Sequence, residues 1–271
     1  MGAPREAEAA RAAAHESARP CVLVFAGLDP SGGAGIGADI EAIAAQGAHA
    51  LPVVTALTVQ DNNRVREVVP VDAALLARQA LLLAEGIPVG AVKIGIVGSR
   101  DNAEAIAALV GTLRARWPAL PVVLDPVLAS GRGDALGRDD ALASLLPLLP
   151  LATLLTPNGP EAARIGDLAR ACAHVLLTGG HDADHRADGA EVVNRWIGPE
   201  GARAWRWPRL PGEFHGSGCT LASSIAARLA LGEPMSQALE NGQRYCNQAL
   251  ADSYVIAPGQ RIPRRIQHRG A

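Results

Sequence analysis

The sequence has one lysine, four cysteines and no surplus of either charge, and each shortage excludes something. Lys93 is the only lysine among 271 residues, so every other formal cation is arginine. Alongside abundant alanine and glycine, this reflects genome base composition more than function, but it singles out Lys93 for inspection. The 25 Lys+Arg and 27 Asp+Glu leave a net charge of −2. Such a chain offers no general field to nucleic acid or to an anionic membrane. Cys21, Cys172, Cys219 and Cys246 are too scattered for a paired zinc spacing or a compact disulfide framework, which points to a reducing compartment. No window approaches the ~18 uninterrupted apolar residues of a membrane-spanning helix. Residues 1–20 mix acids, arginine and alanine without the apolar stretch of a secretory signal, and Glu6 stands where a myristoylation pattern needs Ser or Thr. The expectation is a cytoplasmic protein with a flexible segment 1–20 ahead of one domain over 21–271.

What is present is apolar content, at 49%. A chain this long buries roughly three quarters of its unfolded surface and needs no staple, and this composition excludes disorder over most of it. Apolar runs of strand length fall at 21–27, 49–59, 91–97, 121–126, 152–158, 174–180 and 191–197. Helical spacing links Ile36, Ile40 and Ile43, and again Leu221, Ile225 and Leu229. Further helices are expected over 72–85, 101–116, 139–149 and 235–251. Several strand runs are apolar at every position, as a sheet covered on both faces requires. Strands separated by helices imply crossovers and a mostly parallel sheet, hence one α/β domain.

Many of these runs end in small or polar residues: GLDPSGGAG, TVQDN, GIVGS, LDPV, LTPNGPE and LLTGGH. In an open parallel sheet the strands' carboxyl ends share one edge, and ligands bind in the crevice there. Asp29, Gln60, Ser99, Asp125, Asn158, Glu161 and His181 are therefore expected on one edge, although such residues also serve as helix caps.

Two glycine-rich segments open helices. In Asp29-Pro30-Ser31-Gly32-Gly33-Ala34-Gly35-Ile36-Gly37 the final glycine comes one residue too early for a dinucleotide fingerprint. No Walker A pattern occurs. His215-Gly216-Ser217-Gly218-Cys219-Thr220 leads directly into a helix, presenting consecutive N–H donors at its positive end as an anion site. Cys219 falls in the first turn, where the dipole favours thiolate. A thiolate beside an anion site is either a nucleophile for acyl transfer or a base beside a phosphate. Asp125 and the Asn158-x-x-Glu161 pair supply hard oxygen ligands of the kind that hold Mg²⁺ against phosphates. Mg²⁺, an anion hole and a base together describe phosphoryl transfer from a nucleotide to a hydroxyl.

In order, Asp29-Pro30-Ser31-Gly32-Gly33-Ala34-Gly35-Ile36-x-Ala38-Asp39, Thr55-Ala56-Leu57-Thr58-x-Gln60, Lys93-x-Gly95, Leu124-Asp125-Pro126-Val127, Thr156-Pro157-Asn158-x-Pro160-Glu161, Gly179-Gly180-His181 and the His215–Thr220 segment resemble the hydroxymethylpyrimidine/phosphomethylpyrimidine kinases of thiamine biosynthesis. The resemblance implies a ribokinase-like single domain: a mostly parallel central sheet with helices on both faces. It implies an ATP- and Mg²⁺-dependent kinase whose partner is a small pyrimidine, not nucleic acid or a membrane, and it leaves a homodimer open. Carried over residue by residue, Gly216, Ser217 and Gly218 line the anion hole and Cys219 takes the proton of the substrate hydroxymethyl. Gly27, Asp39 and Gln60 match pyrimidine-site positions. Asp125 and Glu161 organise Mg²⁺, while Asp125, Asn158, Thr178, Gly179 and Gly180 lie along the nucleotide. Many members carry Lys where Thr178 stands, and Arg132 is the candidate substitute. The stretch between Glu161 and the strand at 174 is about ten residues shorter than in the family, which implies a trimmed helix. Alternatives are a pyridoxal kinase of the same Cys-containing branch and a catalytically silent pyrimidine-binding protein.

Overall fold

Strand β1 (Cys21–Leu28) alternates between two apolar layers: Leu23 and Phe25 face one, Val22, Val24 and Ala26 the other. Period-two alternation with both faces buried explains why the run carries no polar residue. A computed structural model describes residues 19–129, 134, 136, 140–181 and 191–266. Residues 1–18, Arg132 and the side chain of His181 lie outside the described residues.

After β1 come α1 (Gly35–Ala45), β2 (His49–Gln60), β3 (Val65–Pro70), α2 (Ala73–Gly86), β4 (Val89–Ile94), α3 (Arg100–Arg116), β5 (Val122–Leu124) and α4 (Ala141–Leu145). They are followed by β6 (Leu154–Leu155), α5 (Gly159–Ile165), β7 (His174–Leu177), β8 (Glu191–Gly198), β9 (Gly201–Pro208), α6 (Ser217–Ala230) and α7 (Met235–Ala251). The strands form one sheet in the order β3-β2-β1-β4-β5-β6-β7-β8-β9. Pairing is parallel from β2 across to β7 and antiparallel for β2–β3, β7–β8 and β8–β9.

The two faces carry separate cores. Leu76 and Ala80 of α2 and Ile106 and Val110 of α3 pack on Leu23 and Phe25. Ile36 and Ile43 of α1, Leu221 and Ile225 of α6 and Leu239 of α7 cover the opposite face. A fully buried isoleucine such as Ile225 contributes about 1.5–3 kcal/mol, and Ile225 abuts Gly242 of α7. A Cβ on Gly242 would lie 2.5 Å from its Cγ1, so the absence of a side chain sets the spacing of α6 and α7. Ile40, expected on the buried stripe with Ile36 and Ile43, is 40% exposed.

The expected parallel α/β sheet is present, with corrections at its margins. TVQDN does not end β2 in a crossover loop; β2 turns back through residues 61–64 into β3, a strand missing from the expected set. The turn has its own chemistry, since Asp61 Oδ1 accepts the N–H groups of Asn63 and Arg64 at 2.7 and 2.9 Å. Strand β9 likewise has no counterpart among the expected runs. The 152–158 run shrinks to the two residues of β6, and the helix expected over 139–149 is confined to α4. The crossover from β6 to β7 is short, consisting of α5 and a 3₁₀ turn over 166–171.

Candidate active site

Two helices that begin at the carboxyl edge of the sheet lack a side-chain cap. α3 is capped by Ser99, which accepts the N–H of Asn102, and α5 by Asn158, which accepts the N–H of Glu161. α1 and α6, the helices that open from the two glycine-rich segments, have no such cap. First-turn amides left without a capping oxygen are available to an anion. Ser99 is thus a helix cap rather than a member of the site. Asn158 also turns inward to its own helix, its N–H donating to Glu161 Oε2 at 2.9 Å in a reciprocal capping box.

The two glycine segments cross. Gly216 adopts φ +75°, and a Cβ there would run into the Gly33 carbonyl oxygen. A Cβ on Gly33 would strike the His215 ring. Only glycine on both sides permits this approach. Asp29 fastens the crossing: its carboxylate accepts from Ser31 N, Ser31 Oγ and Ala34 N at 2.8, 3.0 and 2.8 Å, and it meets His215 Nε2 at 2.8 Å. Burial pushes the Asp29 pKa up, but the His215 and Ser31 bonds outweigh it and hold the carboxyl below its ordinary value.

Beneath the loops lies a buried charge cluster. Lys93 of β4 donates to both oxygens of Asp39 on α1 at 2.9 and 3.0 Å, with both side chains 0% exposed. Ser223 of α6 donates to Asp39 Oδ1 at 2.7 Å. Burial lowers the Lys93 pKa, but Asp39, Cys219 and Asp125 together raise it above the ordinary lysine value. Asp39, expected to touch the pyrimidine, is instead enclosed and fully engaged as the counter-ion of the only lysine. The sequence marked Lys93 only by its rarity and the Lys93-x-Gly95 motif.

Asp125, just past β5, faces this cluster. A Cβ on Gly218 would be 3.6 Å from its Oδ2, which places the carboxylate against the start of α6. That Oδ2 is buried without a hydrogen-bond partner. Burial chiefly, with repulsion from Asp39, raises Asp125 to about 6 against the pull of Lys93. Burial and the nearby Asp125 raise Glu161 to about 7, although the Asn158 and Leu128 amides oppose the shift. A buried carboxylate with an unpartnered oxygen that also raises the pKa of a second carboxylate makes a place for a cation.

Cys219 is half-buried in the first turn of α6. The Gly35 N–H at the start of α1 lies near enough to the sulfur to favour the thiolate slightly. The expected thiolate is corrected by the structure. Burial first, then Asp39 and Asp125, push the thiol up to about 12, and Lys93 and the Gly35 amide only partly offset them. Burial outweighs the helix dipole, so the thiol is protonated at neutral pH.

Other expected residues stand apart from this cluster. Gln60 is half-buried at the end of β2, three residues beyond the Leu57 that pairs with Leu28. Gly27 packs under Ile96 and the Ala56 carbonyl, its own carbonyl filling the space where Gly35 would carry a Cβ. Thr178 bridges to Asn158 at the β7 end, its hydroxyl on the Pro157 carbonyl at 3.3 Å. The Gly179 N–H donates to Asn194 Oδ1 at 3.0 Å and so is not free for a phosphate, whereas Gly180 is open on its Cα side. No grouping of three or more His, Cys, Asp or Glu forms a metal cage among the described residues, and no described helix is long and apolar enough to cross a membrane.

Known proteins resemble this chain in sequence and in fold. The chain is 36% identical over 262 residues to a hydroxymethylpyrimidine/phosphomethylpyrimidine kinase of Streptomyces coelicolor, covering 89% of this chain and 92% of that protein. It is also 36% identical over 286 residues to a thiamine biosynthesis multifunctional protein of Corynebacterium efficiens, of which it spans only 38%. Among solved structures, a phosphomethylpyrimidine kinase from Clostridium difficile superposes with a TM-score of 0.70 at 31% identity, covering 85% of this chain and 99% of that one. An ADP complex of Bacillus subtilis pyridoxal kinase gives 0.79 at 23% identity, covering 92% and 98%, a likeness of fold. A sequence profile described as phosphomethylpyrimidine kinase matches residues 29–263, and the chain belongs to that family.

Proposed function

We propose that this protein transfers the terminal phosphoryl group of ATP to the hydroxymethyl of 4-amino-5-hydroxymethyl-2-methylpyrimidine and then to the monophosphate so formed. The observation that carries the reading is the uncapped start of α6, where residues 216–218 stand against Asp125 and Cys219. Phosphoryl transfer is mainly a matter of placement and charge neutralisation, and this loop offers amide donors that no side chain caps. The kinship at 36% identity to the Streptomyces enzyme favours a pyrimidine over pyridoxal, because the pyridoxal kinase likenesses of 22–23% speak only for fold.

The donor set near Asp125 fits Mg²⁺. A buried carboxylate oxygen without a partner and a second carboxylate beside it are hard ligands, and Mg²⁺ is usually held by one or two carboxylates together with phosphates. Asp125 and Glu161 would hold the ion, which when bound neutralises phosphate charge. Amides at 216–218 would bind the transferring group, Gly180 would border the nucleotide, and Gln60 would offer its amide to the aminopyrimidine edge. Cys219 would accept the alcohol proton only in its minor thiolate form, because the raised pKa leaves most of the thiol protonated at neutral pH and a protonated thiol cannot take up a second proton.

A coupled ADP-release assay tests the reading, run first with the free pyrimidine and then with its monophosphate. Turnover with both is expected. Cys219→Ala should lower kcat by roughly 10²–10⁴ with little change in ATP binding. No turnover with either substrate, or a kcat/KM higher for pyridoxal, would refute it.

A further inference from the structure

Arg265 lies beyond the last helix and is 1% exposed. Arginine is seldom buried so completely unless paired, so the use of its donors is informative. Its Nε donates to Thr220 Oγ1 at 2.8 Å, one terminal nitrogen donates to the Gly33 carbonyl and lies 3.5 Å from the His215 carbonyl, and the other meets Glu41 at 3.3 Å. Glu41 is 39% exposed on its side chain, so the firmest contacts go to uncharged oxygens of the two crossing loops. The Arg265 carbonyl accepts from the Tyr245 hydroxyl at 2.9 Å, and the Arg264 N–H donates to Ala249 O at 2.9 Å, which anchors the segment on α7.

We propose that Arg265 is a positioning residue for phosphoryl transfer, fixing the peptide planes before α6 so that their amides face the transferring group. The inference rests on the kinase reading above. In a trans peptide the carbonyl and the following N–H point in opposite directions, and no cis bond occurs among the described residues. Arg265 holds the Gly33 carbonyl, and the Ala34 N–H accordingly points away to Asp29 Oδ2 at 2.8 Å. The same rule applies one loop over. Thr220 Oγ1, which accepts from Arg265, donates to the Gly216 carbonyl at 2.8 Å, so the Ser217 N–H points outward from the start of α6. Gly216, at φ +75°, has other backbone conformations within reach, and no side chain caps the helix to choose among them. The Thr220 N–H holds the same Gly216 carbonyl at 2.9 Å, and the guanidinium, acting through the Thr220 hydroxyl, adds a second hold on it. Its planar fork of donors holds oxygens from both loops at once, which a lysine ammonium on a flexible stem does not.

The test uses the full chain with ATP, Mg²⁺ and the hydroxymethylpyrimidine, with hydrogen exchange followed by mass spectrometry alongside. Arg265→Ala is expected to lower kcat roughly 10–100-fold, less than the ~10²–10³ of deleting an anion-hole donor outright, with KM for the pyrimidine within about threefold. Millimolar guanidinium should restore part of the loss, and Arg265→Lys should not. Thr220→Val, which keeps the shape and removes the hydroxyl, should lower kcat in the same way and carries the test if the alanine variant does not fold. Exchange should quicken in a peptide covering residues 213–220 and stay unchanged in α3. A kcat within threefold of the parent in both folded variants would overturn the proposal. So would a loss matched by rising KM values, without guanidinium rescue and with faster exchange throughout the chain. If the parent does not phosphorylate the pyrimidine, the kinase reading falls. The exchange result then still decides whether Arg265 holds the loop.

Discussion

Replacing Lys93 with methionine removes the charge from the centre of the molecule while keeping most of the side-chain volume. Asp39 would then lose two bonds of 2.9 and 3.0 Å at a position that is 0% exposed, keeping only the Ser223 hydroxyl at 2.7 Å. Removing one partner of a buried pair costs about 3–5 kcal/mol because the other charge is left uncompensated. The surviving Ser223 bond places the expected loss near the lower end, about 3 kcal/mol. For a chain of this length that is a fall in Tm of roughly 6–12 °C. Adding Asp39→Asn removes the stranded charge and keeps a partner for Ser223, so the double variant should recover at least half of the loss. Because neighbouring carboxylates and Cys219 raise the Lys93 pKa, its contribution is complete below the ordinary lysine value of about 10.4 and fades only as pH climbs through the higher folded value. Without Lys93 to pull it down, however, Asp125 binds its proton more tightly in the folded variant, so the loss should be smaller at pH 6 than at pH 9. Urea unfolding, read as midpoint and slope, measures it. A loss under about 1 kcal/mol, or a double variant no more stable than Lys93→Met, would refute a pairing that holds β4, α1 and α6 together.

Other expectations follow from the same site. Asp125→Asn relieves an unpartnered buried oxygen and repulsion on Glu161, so thermal scans should show a metal-free protein at least as stable as the parent while turnover falls by about 10²-fold or more. Gly216→Ala drives a Cβ into the Gly33 carbonyl at a positive φ; steady-state assay should show a large loss of kcat, and unfolding a strain of at least ~1–2 kcal/mol. Asp125 and Glu161, raised to about 6 and about 7, bind more protons in the folded than in the unfolded protein, so their contribution to stability falls as pH rises from about 4 through 7. Mg²⁺ competes with those protons, and its stabilising shift in Tm should be larger at pH 8 than at pH 5.5; an equal shift at both would place the ion elsewhere.

The central parallel sheet and the glycine-rich loop ahead of α6 are legible in the chain alone. Uninterrupted apolar runs separated by helical periods admit few arrangements other than a parallel sheet covered on both faces, and Gly-Ser-Gly-Cys before a helix is a local feature that needs no partner to be recognised. The chain also held the signal for the β2–β3 hairpin, in the Asp61-Asn62-Asn63-Arg64 turn between short apolar-rich strands. The long-range pairings emerge only once the chain is folded. Asp39 and Lys93 are 54 residues apart, Asp29 and His215 186, and Gly33 and Arg265 232. No periodicity relates residues on different chain segments, and packing alone brings them within bonding distance. The protonation of Cys219 belongs to the same class: the position in a first turn can be read along the chain, whereas the burial that overrides the helix dipole is supplied by α1, β4 and β5 closing around it.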